Sequence, residues 1–218
     1  QVTRDALPVA PLSGGLGVSW VASEPGVLLL GADLEPRDET VSSGSFASFL
    51  ERVLPASRRA ALAGLLEADG PRGDVKVHRV ESWKALVRVE ARDAEPVSIA
   101  TSKTGQAVEI RPLMDPTAIV PGSDLAVRVY SRVPGPADGL VLATNVTTGE
   151  VVRAPTNETS LAVVPIDEPG RWRLEFHAVE PREAGPAGGD GPEWAVHTAT
   201  LTFDVVAATK TAEEGEGR

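Results

Sequence analysis

Cysteine is absent from the chain, which removes disulfides, thiolate metal sites and cysteine nucleophiles together. Aromatic residues make up only 4% of it, so a core must be built mostly from Val, Leu and Ala. Basic clusters are missing as well. Arg58-Arg59 is the densest basic pair, and the formal net charge is −10. A phosphate backbone would find no neutralising surface, and nucleic acid is excluded as a partner. No apolar run approaches the roughly twenty residues of a membrane helix, so no membrane-spanning segment is expected. No signal-peptide core is visible either. Residue 1 is Gln rather than Met, and the expectation is a leader removed or lying outside this fragment.

Catalytic signatures are equally scarce. No Gly-x-Ser-x-Gly elbow occurs, and the three histidines show no triad logic. Gly14-Gly15-Leu16-Gly17 precedes a strand instead of following one and opening a helix, so it lacks the context of a phosphate-binding loop. The acid pairs Asp33/Glu35, Asp38/Glu39 and Asp167/Glu168 stand beside turn residues, where solvated carboxylates do no acid–base work. The expectation is a protein that is not an enzyme and carries no organic cofactor.

What is present is punctuation. Eighteen prolines and 21 glycines suit many short strands joined by turns. Gly17–Ala22 and Val27–Leu30 are expected as strands around Glu24-Pro25-Gly26, with Asp33–Ser45 as loop. Phe46, Phe49, Leu50, Val53 and Leu54 fall on one stripe of an amphipathic helix, with Ser45 as its expected N-cap. Pro55 sets the first turn of a second helix, carried by Ala60, Leu62, Leu65 and Leu66 to an Asp69-Gly70 stop. Helices are thus expected over about 45–68.

The period then changes from helical to two. Trp83–Ala91 is expected as a strand, and Val97–Ala100 is a short apolar run. Strands follow at Ala107–Pro112, Asp124–Ser131, Leu140–Asn145, Glu150–Ala154, Ser160–Ile166, Gly170–Ala178 and Glu193–Val206. Regular spacing with turns at Pro121-Gly122, Thr148-Gly149 and Pro169-Gly170 is the pattern of an antiparallel sandwich. The fold expected is mainly β: a smaller α+β region with a helical hairpin over 1–102, then a sandwich over 103–208. The acidic tail 209–218 is expected to be disordered.

Alternation also sorts the candidate site residues. Trp172, Leu174 and Phe176 share one face of their strand and His177 lies on the other, whereas His197 shares parity with Leu201, Phe203 and Val205. His177 and His197 are the candidate metal ligands, yet parity sends their rings to opposite sides of a sheet. One is expected exposed and one partly buried. Trp172 is expected as a core plug. Trp83 and Trp194, which open their strands, are the candidate ligand-surface residues. Asn145-Val-Thr147 and Asn157-Glu-Thr159 match the glycosylation tripeptide but read as turn residues flanking strands.

An ordered series of segments runs through the chain. It comprises Ser45–Leu54, Glu81-Ser-Trp-Lys-Ala-Leu-Val-Arg-Val89, Thr104-Gly105 and Val108-Glu-Ile-Arg-Pro-Leu-Met-Asp-Pro116. Pro121-Gly122, Leu125–Val129, Glu168-Pro-Gly-Arg-Trp-Arg-Leu174, Trp194 and Ala199-Thr-Leu-Thr-Phe203 complete it. In their order and spacing, over roughly Val18 to Val206, the chain resembles the uncharacterised-domain family known as the periplasmic component of cobalt/nickel ABC transport (NikM-like). The family's N-terminal His-x-x-Trp motif has no match here. The resemblance implies an exported bacterial protein, periplasmic or extracellular, with an immunoglobulin- or prealbumin-like C-terminal half. It also implies a binding or accessory role linked to nickel or cobalt uptake, with a membrane transport complex or another exported protein as partner. The alternative expectation is a structural, protein-binding or carbohydrate-binding β-sandwich module with no metal role.

Overall fold

A computed structural model of the chain describes residues 10–12, 15–17, 25–68, 73–89, 98–133, 136–182 and 193–207. In chain order, β1 (Ala10–Leu12) pairs antiparallel with β2 (Gly15–Gly17), and β3 (Gly26–Asp33) and β4 (Arg37–Ser42) follow. Helices α1 (Ser43–Val53) and α2 (Ala56–Ala68) then lead into the long β5 (Asp74–Val89). After it come β6 (Val108–Pro112), β7 (Ser123–Ser131), β8 (Leu140–Asn145) and β9 (Val151–Pro155). The last strands are β10 (Leu161–Ile166), β11 (Gly170–Pro181) and β12 (Trp194–Val205).

The described residues form a mainly β sandwich. A seven-stranded sheet has the order β3-β5-β12-β11-β8-β9, with β4 also paired to β5, and a three-stranded sheet has the order β10-β7-β6. Among the described residues of 103–207 every strand pair is antiparallel. The β5–β12 pair is parallel, which the reading of an antiparallel C-terminal unit did not include. It also means that strands from both sides of the expected boundary at Ser102 share one sheet. Local periodicity carries no information about such distant pairing.

Two cores hold the layers, one on each face of the large sheet. Between the sheets, Trp172, Leu174, Phe176, Leu201 and Phe203 meet Ile110, Leu125, Val127, Val129 and Val164. Trp172 is 0% exposed, and its indole N–H donates to the Glu168 carbonyl at 3.0 Å. On the opposite face Phe46, Leu50, Val53 and Leu62 of the helices pack on Val75, Val77, Leu140, Leu142, Val179, Trp194 and Val196.

Three local expectations are corrected. The segment read as loop contains β4, whose Val41 packs toward the helical core while Arg37 and Glu39 hold ion pairs. The helix begins two residues early, capped by Ser42, whose hydroxyl accepts the Ser45 N–H at 3.2 Å. The strand at Trp83 starts at Asp74, because Val75 and Val77 lie under the helices while residues further along face solvent. That change of environment along one strand hides its alternation.

Elsewhere, the apolar run before Thr104 is a 3₁₀ turn over Ser98–Thr101. Asn145 and Asn157 serve as turn residues: their carboxamide oxygens accept Thr147 and Thr148 N–H, and Thr159 and Leu161 N–H. Gly170 opens β11 at φ +132°, where a Cβ would meet the Thr147 hydroxyl at 2.8 Å. Residues 18–22 of the strand expected over Gly17–Ala22, Val97, the stop at 69–70 and the tail 209–218 lie outside the described residues.

Candidate functional site: the open face of the large sheet

The helices cover only one end of their face of the large sheet, and the rest carries side chains to the surface. In-register pairing lays these in rows across three strands. Glu81, Thr198 and His177 form one row, Trp83, Thr200 and Glu175 the next, and Ala85, Thr202 and Arg173 a third. With Arg79, all of these but Ala85 line a half-open depression of about 370 Å³. Trp83 is 50% exposed within it.

At the helical end Phe49 packs against the lining residues His177 and Arg79. Its ring meets the His177 imidazole edge-on at 5.4 Å, and the Arg79 and Arg52 guanidinium groups stand 5.1 and 5.8 Å from its centroid. The C-terminus of α1 is held by Arg153, which donates to the Arg52 carbonyl at 2.8 Å. His177 forms part of the floor, with Nδ1 and the Thr198 hydroxyl hydrogen-bonded at 3.0 Å. Burial, reinforced by Arg52 and Arg79, lowers the His177 pKa to about 4. The ring is therefore neutral at physiological pH.

Four ion pairs lie on this face. Arg79 binds Glu39, Arg37 binds Glu81 at 2.6 Å, Arg173 binds Glu175 at 3.3 Å and Arg171 binds Asp204 at 2.9 Å. A pair as open to solvent as Arg171–Asp204 contributes little to stability. The effect of the four pairs is to fix guanidinium and carboxylate planes beside the threonine hydroxyls.

The expected site residues go different ways. Register confirms that His177 and His197 lie on opposite faces, since His177 is opposite Thr198 and His197 is opposite Ala178. Neither is fully exposed, because Phe49 covers His177 and His197 sits against Glu180 at 3.5 Å. Burial lowers the His197 pKa as well, against the opposing pull of Glu180. His78, on the same face as His197, pairs with Asp38 at 2.6 Å. Among the described residues no three His, Asp or Glu side chains gather closely enough to hold a metal ion.

Trp194 is corrected as a surface candidate. It is 4% exposed and packs against Phe46, ring centroids 5.5 Å apart. Trp83 stays at the surface. Sequence reading missed Arg79 and Glu81, whose two-residue spacing from Trp83 was the available signal.

Other polar clusters are committed to the fold. Lys84 and Glu109 form a fully buried ion pair between the layers, with Lys84 also donating to the Ile110 carbonyl at 3.1 Å. Burial lowers the Lys84 pKa even against Glu109. Burial works to raise the Glu109 carboxyl, but hydrogen bonds from Lys84 and from the Thr104 and Gly105 N–H groups outweigh it and hold it low. Arg88 and Asp115 pair at 2.6 Å beside Thr117. A wider hollow of about 590 Å³ lies over the turn at Thr156–Thr159. Its Thr156 and Asn157 side chains are engaged in turn hydrogen bonds, so it offers a ligand little.

The chain matches no protein-family model, and no curated protein or solved structure compared with it matches either. Among the described residues, no helix is long and apolar enough to cross a membrane.

Proposed function

We propose that this chain is a non-catalytic, exported binding module whose ligand surface is the open face around Trp83. The supporting observation is Trp83 itself. A tryptophan half exposed in the middle of a sheet forgoes much of the burial energy an indole can gain, and such residues are over-represented where partners dock. It is flanked by ordered polar rows and not by a hydrophobic core. Export, and an accessory role beside a nickel or cobalt transport complex, rest on the family resemblance.

Titration calorimetry on the wild type and Trp83→Ala tests this reading. The titrants are soluble neutral polysaccharides, an acidic polysaccharide, and Ni²⁺, Co²⁺ and Zn²⁺. Whatever the wild type binds should bind the variant at least about tenfold more weakly, with the melting temperature unchanged. A ligand held equally well by both proteins overturns the choice of surface. Absence of heat with Ni²⁺ and Co²⁺ at micromolar protein removes the metal-uptake role.

A further inference from the structure

We infer that the ligand of the open face is an uncharged carbohydrate chain, an inference that rests on the reading of Trp83 as the binding surface. Three observations converge on this class. The first is charge. The chain carries a net −10, yet the lining of the depression is balanced, with Arg79 and Arg173 against Glu81 and Glu175. A surface built to hold an ion presents an excess of the opposite sign. This one offers no such excess to an anion or a cation.

The second observation is the kind of group displayed. Pyranose rings present a flat C–H face and a rim of hydroxyls that both donate and accept hydrogen bonds. The row Trp83, Thr200, Glu175 supplies an aromatic plate, a hydroxyl and a carboxylate side by side, at the roughly 4.8 Å spacing of adjacent strands. Thr202 and Arg173 repeat the hydroxyl and add donors one row along, and Thr198 and Glu81 place a hydroxyl and an accepting carboxylate on the other side. Neutral His177, tied to Thr198, leaves no charge to desolvate when a sugar covers it.

The third is shape. The depression is half open to solvent, unlike the fully enclosed pockets that surround small ligands. Along β12 the open stretch Thr198–Asp204 runs about 20 Å at some 3.3 Å per residue. That geometry suits an extended chain laid along the strands better than a single small molecule. The ion pairs on the face already hold their side chains, so less conformational freedom is lost on binding.

Affinity electrophoresis and calorimetry with soluble β-glucan, xylan, galactomannan and α-glucan test the assignment, with polygalacturonate as the charged comparison. At least one neutral polysaccharide should retard the wild type. Its affinity should change less than about twofold between about 50 and 500 mM NaCl, since no charge is neutralised. Trp83→Ala should weaken binding at least about tenfold, and Thr200→Val by several-fold. If none of the neutral polymers binds, the assignment falls. Salt-sensitive binding of polygalacturonate that Trp83→Ala abolishes would refute an uncharged ligand while keeping the surface. A neutral polymer bound equally by Trp83→Ala would refute the surface, and this inference with it.

Discussion

Trp172 and Trp83 project from opposite faces of the same sheet, and their surroundings separate what the fold requires from what it leaves available. On the Trp172 face, the three-stranded layer closes over the strands, and Trp172, Leu174, Phe176, Leu201 and Phe203 are buried together against it. On the Trp83 face, the helices cover one end and stop, leaving matched ion pairs and hydroxyls around a half-exposed indole. Strands β5, β11 and β12 supply both faces. Packing fills the Trp172 side, whereas the other side divides between a helical core and, in the account proposed above, a recognition surface.

The contrast can be broken from either side, most severely at the core. Trp172→Ala should cost about 3–5 kcal/mol, a large share of a typical domain's stability. Equilibrium denaturation would read this as a sharply lowered midpoint. Glu109→Ala should cost a comparable or slightly smaller amount, about 3–5 kcal/mol, by stranding Lys84 in the interior. Replacing both partners with apolar residues of similar size should recover most of that loss in the same assay.

Where the helices meet the open face, the effect becomes one of pH. The His177 pKa of about 4 lies below the ordinary value of 6.5, so the unfolded chain binds the proton more readily than the folded one. The stability this contributes is complete above pH 6.5 and drains away as pH falls from there toward 4. His177→Gln should flatten that part of the stability–pH curve, and thermal melts across the interval would measure the change. Smallest of all, Trp83→Ala should alter unfolding free energy by no more than about 0.5 kcal/mol.

Much of this was legible beforehand. Strict alternation in 170–178 and 200–205 placed Trp172, Leu174, Phe176, Leu201 and Phe203 inward, and the same count separated the two histidines. The apolar stripe from Phe46 to Leu54 marked the first helix. Illegible was whatever depends on distant pairing. The parallel contact of β5 with β12, and the cover that Phe49 places on His177, join segments over a hundred residues apart. Trp194 stands first in its strand, a position that did not decide between surface and core until Phe46 was seen against it. Strand β4 was missed because its run Arg37-Asp-Glu-Thr40 is polar, held by ion pairs to β5 more than by burial.

Iodide quenching of tryptophan fluorescence, with and without a bound neutral polysaccharide, tests the central claim most directly. The account predicts that the polysaccharide shields a quenchable component in the wild type, and that this component is missing from Trp83→Phe. Shielding of equal size in both proteins would place the ligand elsewhere and contradict it.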